Sequence, residues 1–176
     1  MCLHHSCSPF SSMKCGVIVI VVSNGKVLLG RSRWGKFAGR VGVCKGKMEK
    51  KDNNCHIACA VRELNEEFKI NISIPEFVKG LAHIELFVGV PVYVYVNNKL
   101  NVQKLNEKIK SDYKNLPESE LTEMTELTEY KVSELIDPKT AFTIEPIARN
   151  SINVILNGAI RTYERKIFYN KTAIEA

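Results

Sequence analysis

Apolar residues recur with two different periods along the chain. From Gly16 to Val22 the run G-V-I-V-I-V-V is β-branched and apolar on both faces, the pattern of a buried central strand. Asn24-Gly25 follows, and Asn-Gly accepts the positive φ angles of a tight type I′ turn, so Val27–Leu29 is expected to return as the partner strand. Farther on the period lengthens. Ile57, Val61, Leu64 and Phe68 follow i, i+4, i+7 and i+11, one apolar stripe of a helix suited to packing on a sheet. Ile70 to Pro75 alternates and turns. Val78–Val88 and Pro91–Val96 read as strands, and V-Y-V-Y-V is one of the clearer alternations in the chain. Asn97–Lys114 is polar and rich in Lys and Asn, with a short helix over Val102–Ile109. It reads as an insertion between strands, equally suited to facing a substrate or to a plain surface excursion. Ile147, Ile152, Ile155 and Leu156 lie at roughly helical spacing and predict a helix over about 144–165, whose residues cover the second face of the sheet as core.

Composition narrows the class. A length of 176 residues with 45% hydrophobic and 25% charged positions predicts a single domain with a substantial core over 15–176 and excludes wholesale disorder. No apolar run approaches the ~18 residues of a membrane span. A formal charge of +6 and a pI near 9.0 favour an anionic partner, a nucleotide or a nucleic acid. Residues 1–14 carry no apolar period and are expected to form a flexible leader, without the basic start and apolar core of a signal peptide. Cys2, His4, His5 and Cys7 are metal-ligand types but lack the paired spacing of a structural zinc site. With no secretory signal, the remaining cysteines, Cys15, Cys44, Cys55 and Cys59, are expected to be reduced thiols in a cytoplasmic or nuclear setting.

The chemistry concentrates between Lys45 and Ile70. Glu63, Glu66 and Glu67 are three and four residues apart and share one helix face. Like charges so placed repel, and a hard divalent cation such as Mg²⁺ or Mn²⁺, which prefers oxygen ligands, removes the conflict. Arg62 reaches Glu66 at i, i+4 and would hold that carboxylate ionised and aimed. The same pattern also fits a solvated helix face. Upstream stands a Lys45-Gly46-Lys47 turn, followed by a polar linker. Farther upstream, Arg31, Arg33, Lys36 and Arg40 surround the only tryptophan, Trp34, and Phe37. That segment could supply phosphate contacts and a ring for base stacking, or be a solvated loop with one aromatic anchored in the core.

R-E-L-N-E-E-F-K-I, Arg62 to Ile70, resembles the second half of the Nudix box, G-x5-E-x7-R-E-U-x-E-E-x-G-U. Lys69 stands where that family has glycine. Gly46 lies sixteen rather than fourteen residues before Arg62, and Asn54 occupies the place of the first glutamate, with Glu49 or Asp52 as its substitute. The resemblance implies an α/β fold of the Nudix type, an α/β/α sandwich with a central mixed β-sheet. It implies cleavage of a nucleoside diphosphate linked to another group, by water attacking phosphorus. The metal ligands would be Glu63, Glu66, Glu67 and the backbone carbonyl of Lys45. Glu63, Glu66 and Glu123 are the catalytic candidates, with Glu66 and Glu123 both open as the general base. Arg31, Arg33, Trp34, Lys45 and Lys47 are the candidate substrate ligands.

G-V-C-K-G-K and C-A-V-R-E-L are further similar to mRNA-decapping Nudix enzymes, and E-M-T-E-L-T-E-Y-K-V-S-E-L matches their register with Glu123, rather than Glu120 or Glu126, as the distal acid. The Lys, Asn and Ile richness resembles Nudix proteins of large DNA viruses. The leading expected substrate is therefore capped RNA, cleaved to methylated GDP. A small nucleotide (ADP-ribose, a dinucleoside polyphosphate or a diphosphoinositol polyphosphate) is the alternative, and a non-catalytic nucleotide- or RNA-binding module is a third reading. Neither DNA nor a membrane is an expected partner.

Overall fold

The computed structural model of the chain describes residues 16–87, 89–135, 137, 139–140 and 143–152. The expected leader 1–14 lies outside them, as does the expected helix beyond residue 152.

The central strand is β1, Gly16–Ser23. Its side chains alternate between two cores: Val17, Val19 and Val21 face one, Ile18 and Ile20 the other. A strand buried on both faces has no polar side, hence its unbroken apolar run. Asn24 and Gly25 have φ of 50° and 74° and turn the chain into β2, Lys26–Ser32, antiparallel to β1. β3, Val41–Gly42, pairs with β2, and β4, Cys44–Lys47, runs antiparallel to the first half of β1. β5, Leu81–Phe87, and β6, Val90–Val96, form a hairpin whose β6 is parallel to β1. β7, Met124–Tyr130, pairs with β2. Among the described residues, seven strands make one mixed sheet of order β3-β2-β1-β6-β5, with β4 and β7 branching from β1 and β2.

Helices cover both faces. α1, His56–Phe68, buries Cys59, Ala60, Leu64 and Phe68 on the first. Burying a side chain such as Leu64 or Phe68 stabilises the fold by about 1.5–3 kcal/mol. α2, Ile74–Lys79, adds Phe77, and α3, Val102–Asn115, adds Leu105 and Ile109. The second face receives Leu135 of α4, Val132–Leu135, together with Ile144, Ala148 and Ile152 of a segment that is helical over 146–152. Among the described residues no helix is long and apolar enough to cross a membrane.

Four expectations are corrected. Val78–Gly80 is not strand but the end of α2, which starts on a reciprocal cap: Ser73 Oγ accepts from Glu76 N, and Glu76 Oε2 accepts from Ser73 N at 2.7 Å. Lys45-Gly46-Lys47 is not a turn but lies in β4. Asn97–Lys114 is no surface excursion: α3 runs on to Asn115, and Asn106 both donates to and accepts from the Leu127 backbone, at 2.9 and 2.7 Å. Ile147, expected in the core, is 38% exposed; Ile155 and Leu156 fall outside the described residues.

Candidate active site

Glu63 and Glu67 stand one turn apart on the α1 face that meets β4, and only 7% and 6% of their surfaces are exposed. Gly46 makes this possible. A Cβ built there would fall 1.8 Å from the Glu63 carboxylate, so a strand carrying any other residue would push that side chain away. The Lys45 amide donates to Glu67 Oε2 at 3.0 Å.

Arg62 gathers the acids around it. Its Nε and Nη2 donate to the two oxygens of Asp52, both at 2.9 Å, and Nη2 also reaches the Lys47 carbonyl at 2.8 Å. Nη1 donates to Glu63 Oε1 at 2.6 Å and Glu66 Oε2 at 2.9 Å, the latter being the expected i, i+4 bond. Of the two acids open as substitutes for the missing glutamate, Asp52 is 3% exposed and held by Arg62 in a two-pronged pair, whereas Glu49 is exposed and 3.5 Å from Nη1. A 3-10 turn over Lys50–Asp52 brings Asp52 in, and Asn53 and Asn54, at φ of 51° and 55°, absorb the longer loop. Asn tolerates that left-handed backbone better than most residues. Lys69 also adopts it, at φ 57°, and its ammonium pairs with Asp112 of α3 at 2.8 Å.

Burial pushes the Glu63 carboxyl up to about 7 despite Arg62, with Glu66 and Glu49 adding to the rise. Burial likewise carries Glu67 to about 8 against the Lys45 amide and charge, helped by Glu63 and Glu123. Burial alone would raise Asp52 and Glu66 too, but the Arg62 bonds to Asp52, and those of Lys51 and Arg62 to Glu66, win and lower both. Buried Cys44, beside Glu67, has its thiol raised well above the usual range by burial first, which fits an inert core residue.

The opposite wall of the cleft is the segment 119–123. Thr122 Oγ1 donates to the Glu67 carbonyl at 2.9 Å, Arg33 N to the Glu123 carbonyl at 2.8 Å, and Tyr113 Oη to the Met124 and Thr122 carbonyls at 3.0 and 3.4 Å. These bonds hold the backbone on either side of Glu123, which lines the cleft together with Glu67. Glu120 lines the same cleft, whose volume is about 990 Å³, whereas Glu126 lies outside it and meets Arg31 at 3.8 Å.

Of the expected substrate ligands, Lys45 and Lys47 line the cleft; Arg31, Arg33 and Trp34 do not. Arg31 Nη1 donates to the Gly39 carbonyl at 2.8 Å. The Arg33 guanidinium lies over the rings of both Trp34 and Tyr113, at 4.4 and 4.5 Å. A residue missed in the sequence is Glu145, 1% exposed, which accepts from Lys45 Nζ and Ser32 Oγ, both at 2.6 Å. Gly42 leaves room for it. A lone glutamate so distant from Lys45 carries no local signal.

Among the described residues no three His, Cys, Asp or Glu side chains are gathered round one point as a ready metal cage, because Glu66 is turned to Lys51 and Arg62, at 2.9 Å each. Glu63 and Glu67 nonetheless fit a hard divalent cation. They offer only oxygen, are buried side by side, and are held partly protonated by burial, which a bound cation would relieve.

A family model described as NUDIX domain matches residues 13–138. A bifunctional NMN adenylyltransferase/ADP ribose pyrophosphatase from Francisella tularensis, complexed with AMP and a Mn ion, is similar in structure, with a TM-score of 0.58 and 14% identity over 86% of this chain and 43% of that one. The chain thus spans less than half the length of that protein. A NUDIX hydrolase from Nitrosomonas europaea gives a TM-score of 0.51 and 16% identity, over 83% and 90% of the two chains. No curated protein matches by sequence. At such identities the solved structures show a common fold, the α/β sandwich around a mixed sheet. The family match covers most of the chain, including β4, α1 and the Arg62–Glu63–Glu67 constellation: the chain belongs to the NUDIX domain family.

Proposed function

We propose that this Nudix hydrolase cleaves a small nucleoside diphosphate derivative, of the ADP-ribose or dinucleoside polyphosphate kind, with Mg²⁺ or Mn²⁺ at Glu63 and Glu67. The observation that carries the reading is the cleft. Its volume of about 990 Å³ lies at the upper end of the range for small-molecule sites, and the basic-aromatic segment Arg31–Trp34 does not extend it into a groove for a polymer. The ADP ribose pyrophosphatase named for the Francisella protein supports the same class.

Capped RNA has less behind it. Within G-V-C-K-G-K, Val43 and Cys44 depart from the decapping pattern, and of C-A-V-R-E-L the matching Cys59 and Ala60 are fully buried in the core, so what the likeness places in the cleft is Lys45, Gly46, Lys47, Arg62 and Glu63, residues of the general Nudix site.

A diphosphate link is highly anionic, so its hydrolysis requires positive charge to neutralise its oxygens, an oriented water and a proton acceptor. Bound at Glu63 and Glu67, with the Lys45 carbonyl as a further donor and Glu66 joining only when Lys51 releases it, the cation would supply that neutralisation. Arg62, braced by Asp52, orients Glu63. Glu123 is the proton acceptor for the attacking water: both Glu66 oxygens are engaged by Lys51 and Arg62, while no ion pair among the described residues holds Glu123. Lys47 and Lys45 face the phosphates.

The test is product analysis on ADP-ribose, diadenosine polyphosphates, diphosphoinositol phosphates and capped RNA, with Mg²⁺ and then Mn²⁺. AMP released from ADP-ribose or a dinucleoside polyphosphate, and lost in Glu67→Gln, is the expected result. Turnover of capped RNA alone, with release of methylated GDP, would overturn the substrate class.

A further inference from the structure

β5 closes the sheet on one side. Among the described residues its outer edge pairs with no strand. Such an edge presents a row of free backbone donors and acceptors, and soluble proteins commonly guard it with Lys or Pro. Leu81–Phe87, L-A-H-I-E-L-F, contains neither. Ile84 and Leu86 are instead 56% and 64% exposed on this edge, while His83 and Glu85 are half-buried and lie 3.2 Å apart.

The order of residues says what fits there. In an antiparallel pairing of β5 with a second β5, two-fold symmetry lets Ile84 face Ile84. That register sets His83 against Glu85 of the second copy, and Glu85 against His83. Leu86 then meets the irregularity near Ala82, where a small side chain leaves it room. Apolar residues meet apolar ones, an acid meets a base, and no like charges are opposed. A two-fold interface must be complementary to itself, and this segment is.

We infer that the β5 edge is a docking surface for a second copy of this chain, joining two sheets through antiparallel β5 strands centred on Ile84. Residue 84 meets itself in this arrangement, so a charge placed there repels its own copy and attracts the opposite one. The test is the mass of the full chain in solution at micromolar concentration, by light scattering or sedimentation. The wild type is expected at twice the 19.9 kDa chain mass. Ile84→Lys and Ile84→Glu should each dissociate at least about 100-fold more readily and sediment as monomers, with hydrolysis per chain unchanged. An equimolar mixture of the two should recover the doubled mass. A monomeric wild type, a dimer that survives both substitutions, or a mixture that stays monomeric would overturn the inference.

Discussion

The carboxylate of Glu63 occupies the space where residue 46 would carry a side chain: Glu63 Cδ lies 1.8 Å from a Cβ built on Gly46. The glycine sits in β4 not for a turn but to let a helix carboxylate lie flat against a strand. Gly46→Ala should therefore spare the fold, because the clashing atoms are the free end of a long side chain, while displacing Glu63. Activity is expected to fall at least about 100-fold in kcat/KM, roughly 3 kcal/mol, with Tm changed by only a few degrees. Full activity in the alanine variant would sever the link between strand and carboxylate.

Asp52 is the structural counterweight of Arg62. Asp52→Asn keeps the shape but leaves the guanidinium with one fewer negative partner in a nearly buried place. Breaking such a pair costs about 3 kcal/mol, a drop in Tm of roughly 6–12 °C for a chain of this size. Glu49→Gln, at the exposed acid, should change Tm by no more than about 2 °C. Thermal unfolding of the two variants side by side decides between them.

The pH dependence of stability follows from the same acids. Glu63 and Glu67 have folded pKa values raised to about 7 and about 8, so the folded state holds their protons more tightly than the unfolded chain. Their contribution is present below the ordinary carboxylate pKa of about 4.5 and is lost as pH rises through 7 and 8. Asp52, with its pKa lowered, acts oppositely: its contribution is present above its unfolded pKa and lost as pH falls through the folded value. The metal-free protein should therefore be most stable in mildly acid solution and weaken toward pH 8. Added Mg²⁺ or Mn²⁺ should raise Tm more at pH 8 than at pH 5.5, where the two carboxyls are protonated. A larger gain at the acid end would remove Glu63 and Glu67 from the cation site.

Tyr113 bridges the carbonyls on either side of Glu123. Tyr113→Phe keeps the ring under Arg33 and removes only the hydroxyl, costing about 1 kcal/mol of stability. If Glu123 acts on the water, kcat should fall by about tenfold, and the same substitution in a Glu123→Gln background should add nothing. Equal losses in both backgrounds would mean that Tyr113 acts elsewhere.

What was legible in the sequence was what repeats locally. β1, its Asn-Gly hairpin and the α1 stripe are written in periods of two and 3.6 residues, and Glu63, Glu66, Glu67 and Arg62 are brought together by one helix. α2 was missed although Ser73 and Glu76 spell a capping box, because the strand-like apolar run that follows obscured it. The choice of Asp52 over Glu49 rests on which carboxylate is buried. The Arg33 guanidinium is drawn to a ring, Tyr113, contributed by α3, and Arg31 to the Gly39 carbonyl and Glu126, partners that lie far off in sequence or carry no pattern. Glu145 meets Lys45 only because residues after β7 fold back beside β3, where Ile144 bridges Val41 and the Glu145 amide donates to the Val41 carbonyl at 2.9 Å, a relation between distant positions that no spacing reports.

That last relation bears on where the working unit ends. The family match stops at residue 138, yet Ile144, Ala148 and Ile152 seal the second core and Glu145 neutralises the lysine at the cleft floor. A chain truncated at 138 would bare Ile18, Ile20 and Leu29 to water and leave Lys45 without its counter-charge. The heritable module and the physical one have different boundaries, and the segment that sequence similarity passes over, residues 143–152, is part of the foundation on which the cleft rests.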